Sequence, residues 1–533
     1  MSTLDALARA EAVRDGVARP VATVRHVHIA GRPLVLVALT LAGEANAPLA
    51  AMVGDDPESP RLLVVAQPRN RDERFAFAAE LARVLLDHIG ACRGATEAVP
   101  GGGQDRTRFA EAPQLIVPNQ ATVGFVRLLG RSTRYRRTSG EHAVDPAVPV
   151  AGRWLTYLAD RAEVPGSCLM LAMTAALALH WASGQSAVED LNLAALTGWI
   201  DPPPGLTGAQ AAALAEDPLT WPPAGPATDP TFDNEVLAPL MQACARPELG
   251  EARRLAAVGR LEEALAGQLA PTWGLVWHGI ELLRRLPPGS RVAARWALDK
   301  DAFSEFSEYL AAGGAPQPRR DPAVAAARRL SRLERTQASY AAQRAFDDPL
   351  VMAGHRLAGE AFGGLVTSAQ ADRIDGSGPR RKLRPLVTVA TGDPLKVQPG
   401  AELRSPSRPG QTAVVRDVVA AGGGGAGGGG AGGSAAGGSA AGGSGTGGDP
   451  AGAGPAGDGR SLVVLELSGG MGRGLTAPPG TVPEVGERVC YTTLYDAYQP
   501  AGAFPEREDT PWTHGGPPVP YVPTDEDVAE AWS

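Results

Sequence analysis

Apolar positions in the first 112 residues fall into short unbroken runs rather than long stripes. Residues 21–29 alternate loosely, residues 34–41 read LVLVALTL, and residues 62–66 form another continuous run. Runs of this length without polar alternation are the mark of strands buried on both faces. A helix follows. Asn70 supplies its N-cap, Glu73 the capping-box carboxylate and Asp72 a first-turn acid. Phe77, Leu81, Val84, Leu85 and His88 share one face, and Gly90 marks the end. The pattern predicts an α/β sheet-plus-helix domain over residues 1–112.

Composition marks residues 93–112 (RGATEAVPGGGQDRTRFAEA) as a linker. Apolar segments at 115–117 and 121–129 lead into RSTRYRRT at 131–138. Beyond Pro165-Gly166, Ser167 is a suitable N-cap for the apolar stretch 168–182, which reads as a central buried helix, too short to span a membrane. Ser186 and Glu189 form another capping box, opening a helix through Leu196 that ends near Gly198-Trp199. The Pro-rich segment 201–232 reads as a crossing loop with one short helix near 207–215. Helices are then expected at 251–269, 273–286, 291–309, 321–346 and 351–362, with Asp321-Pro322 as N-cap and first residue of the longest. This predicts a mainly helical domain over 113–375.

After about residue 380 short strands take over, at 386–390, 401–404, 413–419, 462–467 and 488–493. Pro399-Gly400, Pro409-Gly410 and Pro479-Gly480 punctuate them. Five short strands with such turns predict a small β-barrel over 380–500. The barrel is interrupted by residues 421–460, where 21 of 40 positions are glycine. Such a segment cannot bury apolar surface and is expected as a disordered, flexible insert. TAVVRDVVA before it and SLVVLEL after it look like two arms of one hairpin, whose closure costs little more for a long loop than for a short one. An interdomain linker is the alternative. The expected fold class is multidomain α+β: an N-terminal α/β sheet-plus-helix domain, a helical middle domain, a C-terminal small β-barrel with a Gly-rich insert, and an acidic Pro-rich tail over 501–533.

Charge changes the picture in two places. The chain of 533 residues carries a formal charge of -8, but residues 501–533 hold seven acids and one arginine, or -6, leaving about -2 for everything else. The acidity is mostly a tail, in which Trp512, Tyr521 and Trp532 are aromatic anchors for docking on a partner or on the protein itself. Of the 50 basic residues only Lys300, Lys382 and Lys396 are lysines. Arginines cluster at Arg127, Arg131, Arg134, Arg136 and Arg137, around Tyr135 and with no acid between them. A second basic group is Arg380, Arg381, Lys382 and Arg384. Guanidinium forks bind phosphate oxygens bidentately and a neighbouring ring can stack on a base, so both groups are candidate nucleic-acid contacts; a solvated arginine-rich surface is the plainer reading. Arg328, Arg332 and Arg335 fall on one helix face, where ordinary surface ion pairing is the expectation.

Other chemistry is sparse. Glu44, Asp55 and Asp56 sit in loops beside the predicted strands, where acids can hold a divalent metal, although ordinary turn acids look the same. His26 and His28 would point to one side of a strand, without a third ligand nearby. His180 and His278 lie in apolar helical stretches and are expected to be buried and hydrogen-bonded. Cys92, Cys168, Cys244 and Cys490 are widely spaced solitary thiols with no zinc-like clustering. SGGMGRG at 468–474 lacks the lysine and following helix of a phosphate loop, and neither G-x-S-x-G nor H-E-x-x-H occurs. The opening MSTLDALARAEAVRDG reads as an exposed helix without a signal peptide's apolar centre.

Together these features predict a cytoplasmic, non-enzymatic accessory or interaction protein. It would need no cofactor or membrane, would have a protein partner, and would touch nucleic acid through its arginine clusters and barrel. A metal-dependent nuclease or other hydrolase using Glu44, Asp55 and Asp56 is the alternative. A scaffold that touches no nucleic acid is the third reading.

Overall fold

The computed structural model describes residues 3–99, 106–218, 220–246, 250–376, 381–419, 460–472, 474–496 and 502. The expected anchors Trp512, Tyr521 and Trp532, and the glycine-rich insert up to residue 459, lie outside the described residues. The architecture is multidomain α+β and divides into two compact units. One runs to Val351 and includes the chain again from Asp496; the other is Met352–Tyr495.

The first unit is built on a five-stranded sheet in the order Arg61–Val64, Pro48–Gly54, Leu34–Thr40, Leu115–Val117, Met170–Ala172. The first three strands form an antiparallel meander, with Leu36 opposite Val53 and Met52 opposite Leu62. The last two run parallel to Leu34–Thr40. Every residue of Leu34–Thr40 is buried, the consequence of helices packing on a sheet that exposes neither face of this strand. Among those helices are Arg71–Ala91, Gln120–Thr133 and Glu251–Arg284. One hydrophobic cluster runs from Val27 through the sheet to Leu265, Ile280 and Phe303, so the sheet and the helical stretch beyond it share a core, with no break near residue 112.

Local expectations and structure agree best where a cap is present. The Asn70 side chain accepts from the backbone N–H groups of Asp72 and Glu73 and starts Arg71–Ala91; the Glu73 carboxylate turns back to the Gln67 amide (2.7 Å) instead of closing the box on Asn70. Thr207 and Gln210 complete a reciprocal box at Gly208–Glu216. Elsewhere the structure corrects the sequence reading. Residues 168–182 are not a helix. They give the edge strand Met170–Ala172, the short helix Met173–Ala178 and the two-residue strand Trp181–Ala182. A fully buried apolar run has no periodicity with which to tell strand from helix. Nor do residues 21–29 form a strand: after Arg19–Pro20 only an isolated bridge at Arg25 remains. Asp321 does not cap its helix, which begins at Ala323 with Pro322 in the cap position and no side-chain capping bond.

The helices expected at 251–269 and 273–286 are one, Glu251–Arg284, with Pro271 inside it. Proline there removes the hydrogen bond to the Gly267 carbonyl, but Gly267 is exposed and water can satisfy it. Burial of Leu261, Leu265, Leu269, Trp273, Val276, Ile280 and Leu283 along one side holds both halves in line.

The second unit is a closed six-stranded barrel in the order Ala361–Gln370, Leu386–Thr391, Ser461–Ser468, Arg408–Val419, Glu402–Ser405, Arg488–Thr492. Five of these strands were legible in the sequence. The sixth, Ala361–Gln370, falls where helix was expected and closes the barrel against Arg488–Thr492, with Phe362 opposite Tyr491. Strand Leu386–Thr391 alternates half-buried and buried along its length, with Val387 and Val389 inside. Gly364 is required by close approach: a Cβ there would lie 2.3 Å from the Ala390 carbonyl oxygen. The two arms that flank the glycine-rich insert pair antiparallel from Thr412↔Ser468 to Val419↔Leu462, so the insert joins neighbouring strands of one hairpin. Among the described residues no helix is long and apolar enough to cross a membrane.

Replacing Pro271 by alanine restores the missing hydrogen bond without disturbing the buried stripe. The Pro271→Ala protein should gain up to about 3 kcal/mol of stability, read as a higher urea midpoint at unchanged slope. An unchanged or lowered midpoint would show that the proline ring itself contributes to the packing at this position.

Candidate functional site

The arginine cluster 127–137 occupies the end of helix Gln120–Thr133 and the turn after it, and the structure divides it. Arg134 and Tyr135 face inward, contrary to their expected roles on phosphate and base. Arg134 is 2 % exposed and donates from Nε to the Gln317 carbonyl (2.9 Å) and from Nη2 to that of Pro318 (3.3 Å). The Tyr135 hydroxyl donates to the same Gln317 carbonyl, and the Arg134 guanidinium lies 4.7 Å from the Tyr135 ring centre. Arg127 is held by Glu163 (2.6 Å) and the Ala159 carbonyl (3.1 Å), and Arg136 by the Ser132 carbonyl (2.9 Å). Arg131 and Arg137 are exposed. Arg131 donates from Nη2 to the Arg319 carbonyl (3.2 Å), which sets it beside the Arg319-Arg320 pair that leads into helix Ala323–Asp347.

On that helix Arg329, off the face that carries Arg328, Arg332 and Arg335, bonds Glu163 (2.6 Å) and Asp160 (3.4 Å). Arg332 and Arg335 instead line an open cavity of about 470 Å³ bordered by the 161–167 loop and helix Val292–Ala311. Arg161 and Arg295 also reach its wall. Its two carboxylates already have partners. Asp299, 1 % exposed, accepts from Arg161 Nη2 (2.7 Å), Ser167 Oγ (2.7 Å) and the Cys168 amide (2.6 Å). Asp496 is paired with Arg291 (3.0 Å). Arg295 spans from the Gln343 side chain (3.0 Å) to the His26 carbonyl (2.8 Å), over the Tyr340 ring. Arg332 and Arg335 make no ion pair with a described residue, and Arg335 donates to the Ser331 hydroxyl (2.9 Å). The i, i+3 spacing of these two was visible in the sequence; nothing pointed to Arg161, Arg295, Asp299 or Tyr340.

Mixed sheets offer a ligand crevice at the C-terminal ends of strands where the order of addition reverses. Here that point lies between Leu34–Thr40 and Leu115–Val117, and the chain itself fills it. The Thr40 amide donates to the Pro226 carbonyl (2.8 Å), and Asn119 Nδ2 to that of Gly225 (2.8 Å). Gly225 has φ +74°, and a Cβ on it would come within 2.6 Å of the Ala38 carbonyl oxygen. Glu44, Asp55 and Asp56 do not converge on a shared ion. Glu44 pairs with Arg69 (2.8 Å), Asp55 with Arg32 (2.9 Å), and Asp56 accepts from the Glu58 amide (3.0 Å). Among the described residues no three His, Cys, Asp or Glu side chains group as metal ligands. In the second unit Arg381 and Lys382 are exposed, while Arg384 is half-buried with Nη1 on the Leu383 carbonyl (3.0 Å).

His26 and His28 are not ligands side by side on a strand. His26 is fully buried and stacks on His180 with centroids 5.5 Å apart, and His28 stacks on Trp296 at 4.1 Å. His180 accepts at Nε2 from the His26 amide (2.9 Å), and its Nδ1 lies 2.7 Å from the Ala176 carbonyl, fixing one neutral tautomer. Burial, with Arg344 and Arg295 nearby, takes His26 down to about 4 against the pull of Asp348; burial takes His180 down to about 3. His278 departs from the expectation of burial: it is half-exposed and faces Asp201 (3.1 Å). All four cysteines are free, and burial pushes the Cys168 thiol up to about 12 and those of Cys92 and Cys490 to about 11, so these three are protonated thiols near neutral pH.

No protein-family model, no curated protein and no solved structure matches the chain.

Removing the Asp299 carboxylate leaves the buried Cys168 amide and the half-buried Arg161 without their acceptor. Asp299→Ala should therefore cost about 3–5 kcal/mol in urea unfolding, far more than a surface acid such as Glu58→Ala. Acid should weaken the fold through the histidines. Their folded values lie below the ordinary 6.5, so the unfolded chain binds the extra protons, and stability falls as pH drops from about 6.5 towards 4. The slope should reach up to about 1.4 kcal/mol per pH unit for each buried histidine and should be shallower in His180→Gln. A melting temperature independent of pH across that window would contradict this.

Proposed function

We propose that this protein is a non-enzymatic accessory protein that holds nucleic acid on an arginine-bearing face of its first unit and works with a protein partner. The contact of Arg131 with the Arg319 carbonyl carries the reading, because it sets basic residues from two separate stretches of sequence on neighbouring surface. The buried pair Arg134 and Tyr135 supports this face from beneath by clamping the 317–318 backbone. Arg381 and Lys382 are a second, independent basic contact on the barrel unit. The filled crevice at the strand ends and the separate partners of Glu44, Asp55 and Asp56 favour binding over hydrolysis. Free cysteines fit a reducing, cytoplasmic setting.

Fluorescence anisotropy with single-stranded and duplex oligonucleotides tests the reading. Binding should be present at about 50 mM salt and fall steeply by about 200 mM. Arg131→Glu with Arg320→Glu should weaken it several-fold and flatten the salt slope. Arg134→Glu should instead lower stability. No binding at low salt would leave a scaffold that touches no nucleic acid.

A further inference from the structure

We propose that the arginine-lined cavity between the 161–167 loop and helix Ala323–Asp347 binds a phosphomonoester, the group carried by a free mononucleotide or by the end of a nucleic-acid strand. The cavity volume, about 470 Å³, lies within the range of about 300–1,000 Å³ that takes one small ligand. Among the described residues its arginines outnumber the carboxylates left to pair with them. The carboxylate of Asp299 is consumed by three donors, and that of Asp496 is paired with Arg291 outside the arginine wall. Arg332 and Arg335 therefore present guanidinium groups to the space without a described carboxylate partner. Guanidinium forks match phosphate oxygens in pairs, and a phosphomonoester, at about -1.5 to -2 near neutral pH, suits two such forks better than the single charge of a backbone phosphodiester does.

Tyr340, an aromatic side chain in the wall of the same cavity, argues for an organic rather than an inorganic phosphate. A second pocket of about 310 Å³ lies against the other side of the same loop, with Val27, Met170 and Leu179 beside Gln120, Glu163 and Gln337 in its wall. Tyr340 and the 164–167 segment border both spaces. A ligand anchored by phosphate at Arg332 and Arg335 shares the cavity with the Tyr340 side chain, an aromatic neighbour for a ring carried by the phosphate. Gly166 makes the wall this thin. It has φ +82°, and a Cβ on it would meet Arg295 Cδ at 2.9 Å and Tyr340 Cδ2 at 3.0 Å. The strand-end source of the phosphate rests on the nucleic-acid reading above; the free-nucleotide source does not.

The test titrates the full chain with AMP, a short 5′-phosphorylated single-stranded oligonucleotide and the same oligonucleotide with a 5′-hydroxyl, at about 50 mM salt. Each is repeated with Arg332→Glu/Arg335→Glu and with Arg14→Glu, an exposed arginine on another helix, as a control. The expected result is that the phosphorylated strand binds about tenfold or more tightly than the hydroxyl strand, that AMP competes with it, and that only the cavity variant loses the difference. AMP binding lost in the cavity variant, without binding of either strand, assigns the site to free nucleotide and ends the nucleic-acid reading. Equal binding of both strands with no AMP competition overturns the cavity assignment while leaving that reading intact. AMP binding unchanged in the cavity variant overturns it too, and no binding of any probe overturns both.

Discussion

The Asp299 carboxylate sits at the junction from which the first unit is organised. It comes from helix Val292–Ala311 and is met by Arg161 at the end of one helix, by Ser167, and by the amide of Cys168 two residues before the edge strand Met170–Ala172. A buried anion cannot stand alone in a low-dielectric interior, and three donors fix its position from three directions. The constraint ties the far end of the helical stretch to the sheet. It also anchors the 161–167 loop, which lies between the arginine-lined cavity and the smaller pocket behind it.

Arginine does two different jobs in this chain. Where the guanidinium is surrounded by carbonyls, as at Arg134, it acts as a structural clamp with several donors. Where it lies near carboxylates, as at Arg127 and Arg329 around Glu163, it neutralises and cross-links helices. Arg332 and Arg335 do neither with a described residue, and that contrast marks their surroundings as different. The same sorting separates Glu466 in the barrel, buried under Arg373 (2.9 Å) and Arg416 (2.6 Å), from acids that are free to act.

Much of the fold was legible because its signals are local. Strand Leu34–Thr40 declared itself by seven consecutive apolar or small residues, helix Arg71–Ala91 by Asn70, and five barrel strands by alternation and Pro-Gly turns. The candidate site was scarcely legible. Arg332 and Arg335 could be placed on one face, but Arg161 and Arg295 are far from them in sequence and lie in ordinary surroundings. Arg134 and Tyr135 were misread for a related reason: nothing local to RSTRYRRT announces that the Gln317 and Pro318 carbonyls will arrive to receive them.

The sequence by itself determined which segments carry enough apolar surface to be buried and where caps and turns punctuate them, and it left a hairpin loop and an interdomain linker open for the glycine-rich insert, between which the pairing of the two flanking strands decided. It also set the supply of charge, with nearly all of the basic residues arginine and most of the net negative charge in the tail. Tertiary structure decided the identity of segments without periodicity: Met170–Ala172 became a strand because Leu115–Val117 offers its hydrogen-bonding edge, and Glu251–Arg284 stayed one helix across Pro271 because its buried stripe is continuous. It also decided which arginines clamp and which face open space. Hydrogen-bond valence and desolvation are satisfied by whatever the fold brings near, and residues such as Arg134 and Gln317 become neighbours only when the chain has closed.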